Sequence, residues 1–168
     1  MIRKLVFTVL LLCAARTADA QNDFQYYSIT MMQTQQVFEE RVTSIEVVSL
    51  YLKEIVDSVS NAVKELPKGE PAKGFIVVAV KPGNRSRIWL DFKSPITKET
   101  ATAIQTAAAK VSPISVKGGV VLLAMKVGLW GSGPPDHMVP QPEEWRAEAE
   151  KAGGKIEMTE LVERVWRD

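Results

Sequence analysis

The sequence is poor in the side chains that most catalytic and metal sites require. Its 168 residues include one cysteine, Cys13, and one histidine, His137. Structural zinc sites are built from several such ligands, and serine or cysteine nucleophiles need a nearby base. Ser132 lies in a Gly-Ser-Gly-Pro stretch that does not match a nucleophile elbow. We therefore predict no catalytic residue, metal or cofactor, and expect His137, which follows Asp136, to be an incidental exposed side chain.

An excess of charge of one sign is also missing. The chain carries 21 Lys and Arg against 20 Asp and Glu, and 46% of its residues are hydrophobic. This composition is typical of a globular protein and lacks the basic excess of a dedicated nucleic-acid binder, so we predict no nucleic-acid partner.

The charges are unevenly distributed along the chain. Residues 21–63 contain six acidic and two basic side chains, residues 64–126 four and eleven, and residues 127–168 nine and five. Acidic flanks that pack against the basic centre explain this pattern. An anionic partner for the centre is the alternative.

No apolar run is long enough to span a membrane. The run from Leu5 to Ala15 follows two basic residues and precedes the small-x-small triplet 18–20. This order predicts a signal peptide, residues 1–20, that is cleaved before Gln21 and takes Cys13 with it. We expect a periplasmic or secreted protein that has no disulfide and does not span the membrane after cleavage.

One long amphipathic helix is predicted over residues 36–66, with Thr34 as its N-cap and Pro67 after its end. Apolar side chains recur there in steps of three and four: Phe38, Val42, Ile45, Val48, Leu52, Ile55, Val59, Ala62 and Leu66. This face can pack on a sheet, and a homodimer through the helix is an alternative. Residues 24–32 show no clear period, so we expect an extended arm that packs loosely on the surface.

The middle of the chain predicts strand, turn, strand, helix and strand. The strands are expected at 75–80, 87–92 and 120–130, and the helix at 98–111. Because the first and last strands are apolar on both faces, the sheet needs a cover on each side. We expect the long helix on one side and the shorter helix on the other.

These elements predict an α+β fold. Its small, antiparallel-rich sheet has the order β-β-α-β and is covered by the long N-terminal helix. Residues 21–131 form the expected domain, and residues 132–168 form a proline-rich linker and a C-terminal helical tail. An apolar patch near the end of the tail, at 161–166, is expected to dock on the same protein.

A candidate partner-binding site combines basic and aromatic residues of the strands. Arg85, Arg87 and Trp89 alternate along the second strand, and Trp130 ends the last one. Tryptophan beside arginine is typical of an anchor at a protein–protein interface. The alternative is that Trp89 belongs to the core beneath the long helix.

A small hydrolase that uses carboxylates is the enzymatic alternative. Asp91 is the acidic residue that falls on a predicted strand. Such chemistry needs a second carboxylate within about 10 Å of the first.

Residues 74–131 resemble the periplasmic C-terminal domain of the TonB/TolA type. The likeness lies in the order strand, turn, strand, helix, strand, in the turn at 82–84, and in the Pro and Gly residues before the last strand. It implies contact with a protein partner through an exposed strand edge, without catalysis. The short leader, the missing proline-rich spanning linker and the preceding helix depart from that family. We expect an exported, non-enzymatic binding or assembly module.

Overall fold

The polypeptide alternates strands and helices around one sheet. The structure, a computed structural model, describes residues 23–137 and 139–166, so the predicted signal peptide lies outside the described residues. The described elements are, in order, β1 (Phe24–Met31), α1 (Gln35–Arg41), α2 (Ile45–Lys64), β2 (Ala72–Lys81), β3 (Arg85–Phe92), α3 (Lys98–Ala109), β4 (Val121–Leu129), α4 (Glu143–Lys151) and α5 (Met158–Val165).

The four described strands form one antiparallel sheet in the order β1-β4-β2-β3. β2 and β3 form the predicted hairpin, in which Lys81 lies opposite Arg85. Between them Gly83 and Asn84 have φ of 87° and 54°, a left-handed conformation that these two residue types tolerate best. The α+β class and the β-β-α-β order are confirmed.

The N-terminal helix is interrupted, which corrects the prediction of a single helix over 36–66. Val42 ends α1 in an extended conformation and forms an isolated antiparallel bridge with Val116. The Ser44 side chain then accepts a hydrogen bond from the backbone N–H of Val47 and caps α2. Val42 still packs against the core, so the apolar period continues across a break in the helix.

The first face of the sheet is covered by α1, α2 and α3. Ile55, Val59 and Val63 of α2 and Ile104 of α3 are fully buried in one cluster with the even-numbered residues of β2 and the odd-numbered residues of β4. The Ser58 hydroxyl of α2 donates to the Ala107 carbonyl of α3. The two helices therefore lie side by side, which corrects the expectation that they sandwich the sheet.

The second face of the sheet is covered by the C-terminal tail. Phe75, Val77 and Ala79 of β2 are fully buried against Leu161 and Val162 of α5, with Trp145 of α4 in the same cluster. The tail docks on its own protein, as its apolar patch predicted. Its helices provide the second cover that a sheet apolar on both sides requires.

Residues 24–31 are a sheet strand, which corrects the expectation of a loose arm. β1 pairs with β4 along its length, with a bulge at Tyr27 between Tyr26 and Ser28. At its end the Gln33 side chain donates to the Val120 carbonyl and accepts from the Leu122 N–H. The bulge shifts the alternation of side chains, which explains why no strand period is visible in the sequence.

Candidate functional site

Two of the four predicted site residues face the tail. Trp89 of β3 is 4% exposed, and its ring makes edge contacts with Trp145 and Trp166 at centroid distances of 5.4 and 6.4 Å. These three residues form what we term the tryptophan cluster. Trp89 is thus in a core, but beneath α4 and α5 on the second face and not beneath the long helix.

Charged groups complete the contact between β3 and the tail. Glu144 of α4 accepts hydrogen bonds from Trp89 Nε1 and from Arg87 Nη2, both at 2.9 Å. Arg87 Nη1 also donates to the Val165 carbonyl at 3.1 Å, and its guanidinium lies 5.0 Å from the Trp89 ring centre. Part of the basic centre is therefore paired with the acidic tail of the same chain.

Trp130 and Arg85 lie at opposite ends of the sheet. β2 runs from Ala72, opposite Leu129, to Lys81, opposite Arg85. At about 3.4 Å per residue this strand separates the two ends by roughly 30 Å. Trp130 packs into the first-face cluster, where a Cβ added to Gly69 would lie 2.6 Å from the Trp130 ring. The four predicted residues do not form one surface.

β3, which carries Arg85, Arg87 and Trp89, is an edge strand with β2 as its one neighbour in the sheet. The Lys93 N–H donates to the Lys73 carbonyl. In an antiparallel ladder, hydrogen-bonded residue pairs alternate with pairs that are not hydrogen-bonded. The odd-numbered residues of β3, which share the parity of Lys93, therefore bond to β2, and the N–H and C=O groups of the even-numbered residues point outward. Within the described residues, no backbone–backbone hydrogen bond joins this outer side to another segment; the outward residues are Ser86, Ile88, Leu90 and Phe92.

The other edge is less regular. β1 contains the bulge at Tyr27, whose hydroxyl donates to the Ser132 carbonyl at 2.5 Å. Bulges at sheet edges twist the strand and hinder pairing with a further strand. β3 pairs with β2 without any register shift over its eight residues. The regular edge is therefore the one that carries three of the four predicted site residues, Arg85, Arg87 and Trp89.

A polar cleft of about 430 Å³ lies beside the end of β3. Asp91 accepts a hydrogen bond from the Gln141 N–H at 2.7 Å, and its Oδ2 is 3.2 Å from His137 Nε2. His137 also contacts the Phe75 ring edge-on, so it is not the isolated exposed residue that we expected. No second carboxylate is among the described residues that line this cleft: Asp91, Phe92, Lys93, His137, Val139, Gln141 and Arg146.

Asp136, the carboxylate before His137, pairs with a lysine of β2. Its Oδ2 pairs with Lys73 Nζ at 2.7 Å, and the hydrogen bond and charge of Lys73 hold the pKa of Asp136 below its usual value. Asp136 and His137 therefore engage different partners on β2 and β3. They do not form an acid–base pair with one another.

An apolar pocket of about 360 Å³ adjoins the polar cleft and shares Val139, Gln141 and Arg146 with it. Trp145 lines this pocket, is 2% exposed, and its Nε1 has no hydrogen-bond partner in the described part of the chain. The remaining lining comes from the loop before α4, from both tail helices and from the turn between them: Pro140, Ala149, Glu150, Gly154, Ile156, Met158 and Leu161.

Sequence reasoning missed the contribution of α4 to these cavities. Three consecutive residues of α4 take part. Glu144 bonds to the tryptophan cluster, Trp145 lines the apolar pocket, and Arg146 lines both cavities. A signal was present in the sequence, because a tryptophan and an arginine directly follow two glutamates at the start of this helix.

A small apolar surface lies on the opposite side of the molecule. Ile45 and Leu50 at the start of α2 are 61% and 62% exposed, and Val47 between them is also exposed. Val47 and Leu50 line a shallow groove of about 210 Å³ together with Tyr51 and Ile114. We term Ile45, Val47 and Leu50 the α2 patch.

No protein-family model, curated protein or solved structure matches the chain. Within residues 23–137 and 139–166 no cluster of His, Cys, Asp and Glu could hold a metal ion. None of the helices in this part of the chain is both long and apolar enough to cross a membrane.

Proposed function

We propose that the chain is an exported, non-enzymatic binding module that holds a protein partner through the outer edge of β3. Export is supported by the pattern of residues 1–20, which favours a protein of the periplasm or the cell exterior. The resemblance of residues 74–131 to TonB/TolA-type domains supports contact through a strand edge.

The observation that carries the proposal is the regular, one-sided pairing of β3. Its outward N–H and C=O groups lie at Ser86, Ile88, Leu90 and Phe92, in register for an added antiparallel or parallel strand. Main-chain hydrogen bonds give affinity in this mode of binding, and side chains beside the strand give specificity. Arg87 beside this edge is already paired with Glu144, so main-chain pairing, and not charge, carries the proposed contact.

The test removes one outward donor without breaking the β2–β3 ladder. Ser86→Pro deletes the outward N–H of that residue, and proline is tolerated on the open side of an edge strand. Ser86→Ala is the matched control, since it loses the same hydroxyl and keeps the N–H. Each full-length variant is used to recover binding proteins from the envelope of the source cells.

We expect Ser86→Ala to recover the same partner as the unmodified chain and Ser86→Pro to lose it. Amide hydrogen exchange of β2 and β4 checks that both variants keep the sheet. Equal recovery by both variants would exclude the β3 edge. The added partner should also protect the Ile88 and Leu90 amides from exchange, which a contact elsewhere on the molecule would not do.

A structural homodimer is the second candidate, and the α2 patch favours it. The exposed aliphatic side chains of Ile45, Val47 and Leu50 lie on the helix that the sequence marked for self-association. A symmetric contact would bury the same patch on both copies. Light scattering should then give twice the monomer mass, and Leu50→Glu should restore the monomer. A monomer at high concentration in the unmodified chain would remove this candidate.

A further inference from the structure

The two adjoining cavities of the tail have complementary chemistry. The apolar pocket is walled by Val139, Ala149, Ile156, Met158 and Leu161. The polar cleft contributes Lys93 and His137. Arg146 belongs to both linings, so a ligand that occupies both would place its polar end near this guanidinium.

Arg146 has unused bonding capacity. It is exposed, and none of the other described residues forms an ion pair or side-chain hydrogen bond with it. A guanidinium binds a carboxylate through two parallel N–H donors, which gives both strength and orientation. Asp91 of the polar cleft accepts from the Gln141 N–H and faces His137. Glu150 lies one helical turn from Arg146 in the lining of the apolar pocket, and within the described residues the two form no ion pair.

A second unused donor lies in the same lining. The Trp145 indole is nearly fully buried at the apolar pocket, and its Nε1 has no acceptor within the described residues. A buried N–H without a partner costs about 1–3 kcal/mol, so this wall of the pocket is held at some cost. The accessible donor at the pocket is therefore Arg146, which selects a ligand that carries acceptor oxygens.

We propose that the joined cavities bind a small amphipathic carboxylate, with its apolar chain between α4 and α5 and its carboxylate on Arg146. A pocket of about 360 Å³ has the size of small-molecule sites, and such sites combine apolar walls with few polar groups. The apolar pocket lies between the tail helices, and the polar cleft reaches only the end of β3 at Asp91 and Phe92. A small-molecule site there goes beyond partner binding along the strand.

Octanoate is the probe, and 1-octanol is the matched uncharged probe of the same chain length. Isothermal titration and amide chemical shifts of the full chain follow each of them. We expect saturable octanoate binding with shifts on α4 and α5, at least tenfold tighter than 1-octanol binding. Absence of saturation with octanoate, or equal affinity for both probes, would overturn the proposal.

Two variants localise the site. Arg146→Gln should weaken octanoate binding about tenfold and leave 1-octanol binding unchanged. Lys151→Gln is the control on the same helix, because Lys151 pairs with Glu148 and lines neither cavity. Ala149→Leu fills the apolar pocket and should abolish binding of both probes. Unchanged octanoate affinity in Arg146→Gln would contradict the assignment of the carboxylate to this residue, and unchanged affinity in Ala149→Leu would contradict the assignment of the chain.

Discussion

The two faces of the sheet are covered in different ways. On the first face, α2 and α3 bury aliphatic side chains such as Ile55, Val59 and Ile104. On the second face, the shorter helices α4 and α5 pack through the tryptophan cluster. Half-exposed charged contacts, Arg87 to Glu144 and Lys73 to Asp136, tie that side together.

This difference indicates which part of the molecule holds the fold and which part can respond to its surroundings. Aliphatic packing is insensitive to salt, whereas contacts between half-exposed charges are screened by it. Short elements near a terminus with few buried apolar residues open at lower free energy than a central core. We therefore expect the first face to govern global stability and the second face to open locally.

The largest effect is expected from a cavity in the first face. Ile55 is fully buried, so Ile55→Ala should lower the free energy of unfolding by about 2–5 kcal/mol. Leu50→Ala on the exposed side of the same helix is the control and should change it by less than about 0.5 kcal/mol. Denaturant unfolding measures both. Similar values for the two variants would break the assignment of the core to this face.

A smaller effect is expected from the charged contact of the second face. Glu144→Ala removes the acceptor of Arg87 Nη2 and Trp89 Nε1 and should cost about 1 kcal/mol, because both charged side chains are partly exposed. Glu143→Ala is the control, since it removes a carboxylate from the same helix start, and Glu143 forms no ion pair within residues 23–137 and 139–166. In high salt the difference between the two variants in free energy of unfolding should become smaller. A difference that is independent of salt would argue against an electrostatic tie.

Alkaline pH should lower the stability of the fold through Tyr51, which is buried in the first face. Burial raises the pKa of the Tyr51 phenol, and the nearby Ser86 hydroxyl offsets part of that rise. The folded state then keeps its proton to higher pH than the unfolded state. The resulting stability is complete below the unfolded pKa near 10 and is lost as pH rises through the folded pKa. Tyr51→Phe should flatten this decline in thermal unfolding between neutral and alkaline pH, and an unchanged decline would exclude Tyr51 as its main source.

The smallest effect concerns Asp136 at the rim of the second face. Lys73 lowers the pKa of this carboxyl, so carbon-detected titration should place it below an ordinary aspartate. Lys73→Met should raise that pKa toward the ordinary value, while Lys151→Met, a lysine of α4 that pairs elsewhere, should leave it unchanged. Because the group is exposed, we expect no measurable change in global stability.

The sequence predicted the elements whose signals are local. The apolar run of β2, the turn before β3 and the caps of α3 all depend on neighbouring residues, and the structure places these elements within a few residues of the prediction. β1 depends instead on β4, about a hundred residues away, and its bulge disrupts the strand period. The sequence does not reveal the break before α2, because Val42 is apolar, fits the helical spacing of its neighbours and packs against the same core.

The candidate site was less accessible to sequence reasoning. The pattern marked Arg87 and Trp89 correctly as neighbours on one strand face, but α4 lies more than fifty residues away and supplies Glu144 and Arg146. The tail was expected to dock on its own protein, yet nothing in its pattern specified which face it would cover. Such tertiary placement depends on matching surfaces and not on local periodicity.

Native-state hydrogen exchange tests the central contrast between the two covers most directly. The amides of α5 at Leu161 and Val162 are compared with those of β2 at Ile76 and Val78 across a denaturant series. We predict that the α5 amides exchange through an opening of lower free energy than the β2 amides. Glu144→Ala should lower the free energy of opening of α5 and leave that of β2 unchanged. Exchange of α5 and β2 at the same free energy, lowered together by Glu144→Ala, would show that both covers belong to one cooperative unit and would contradict this account.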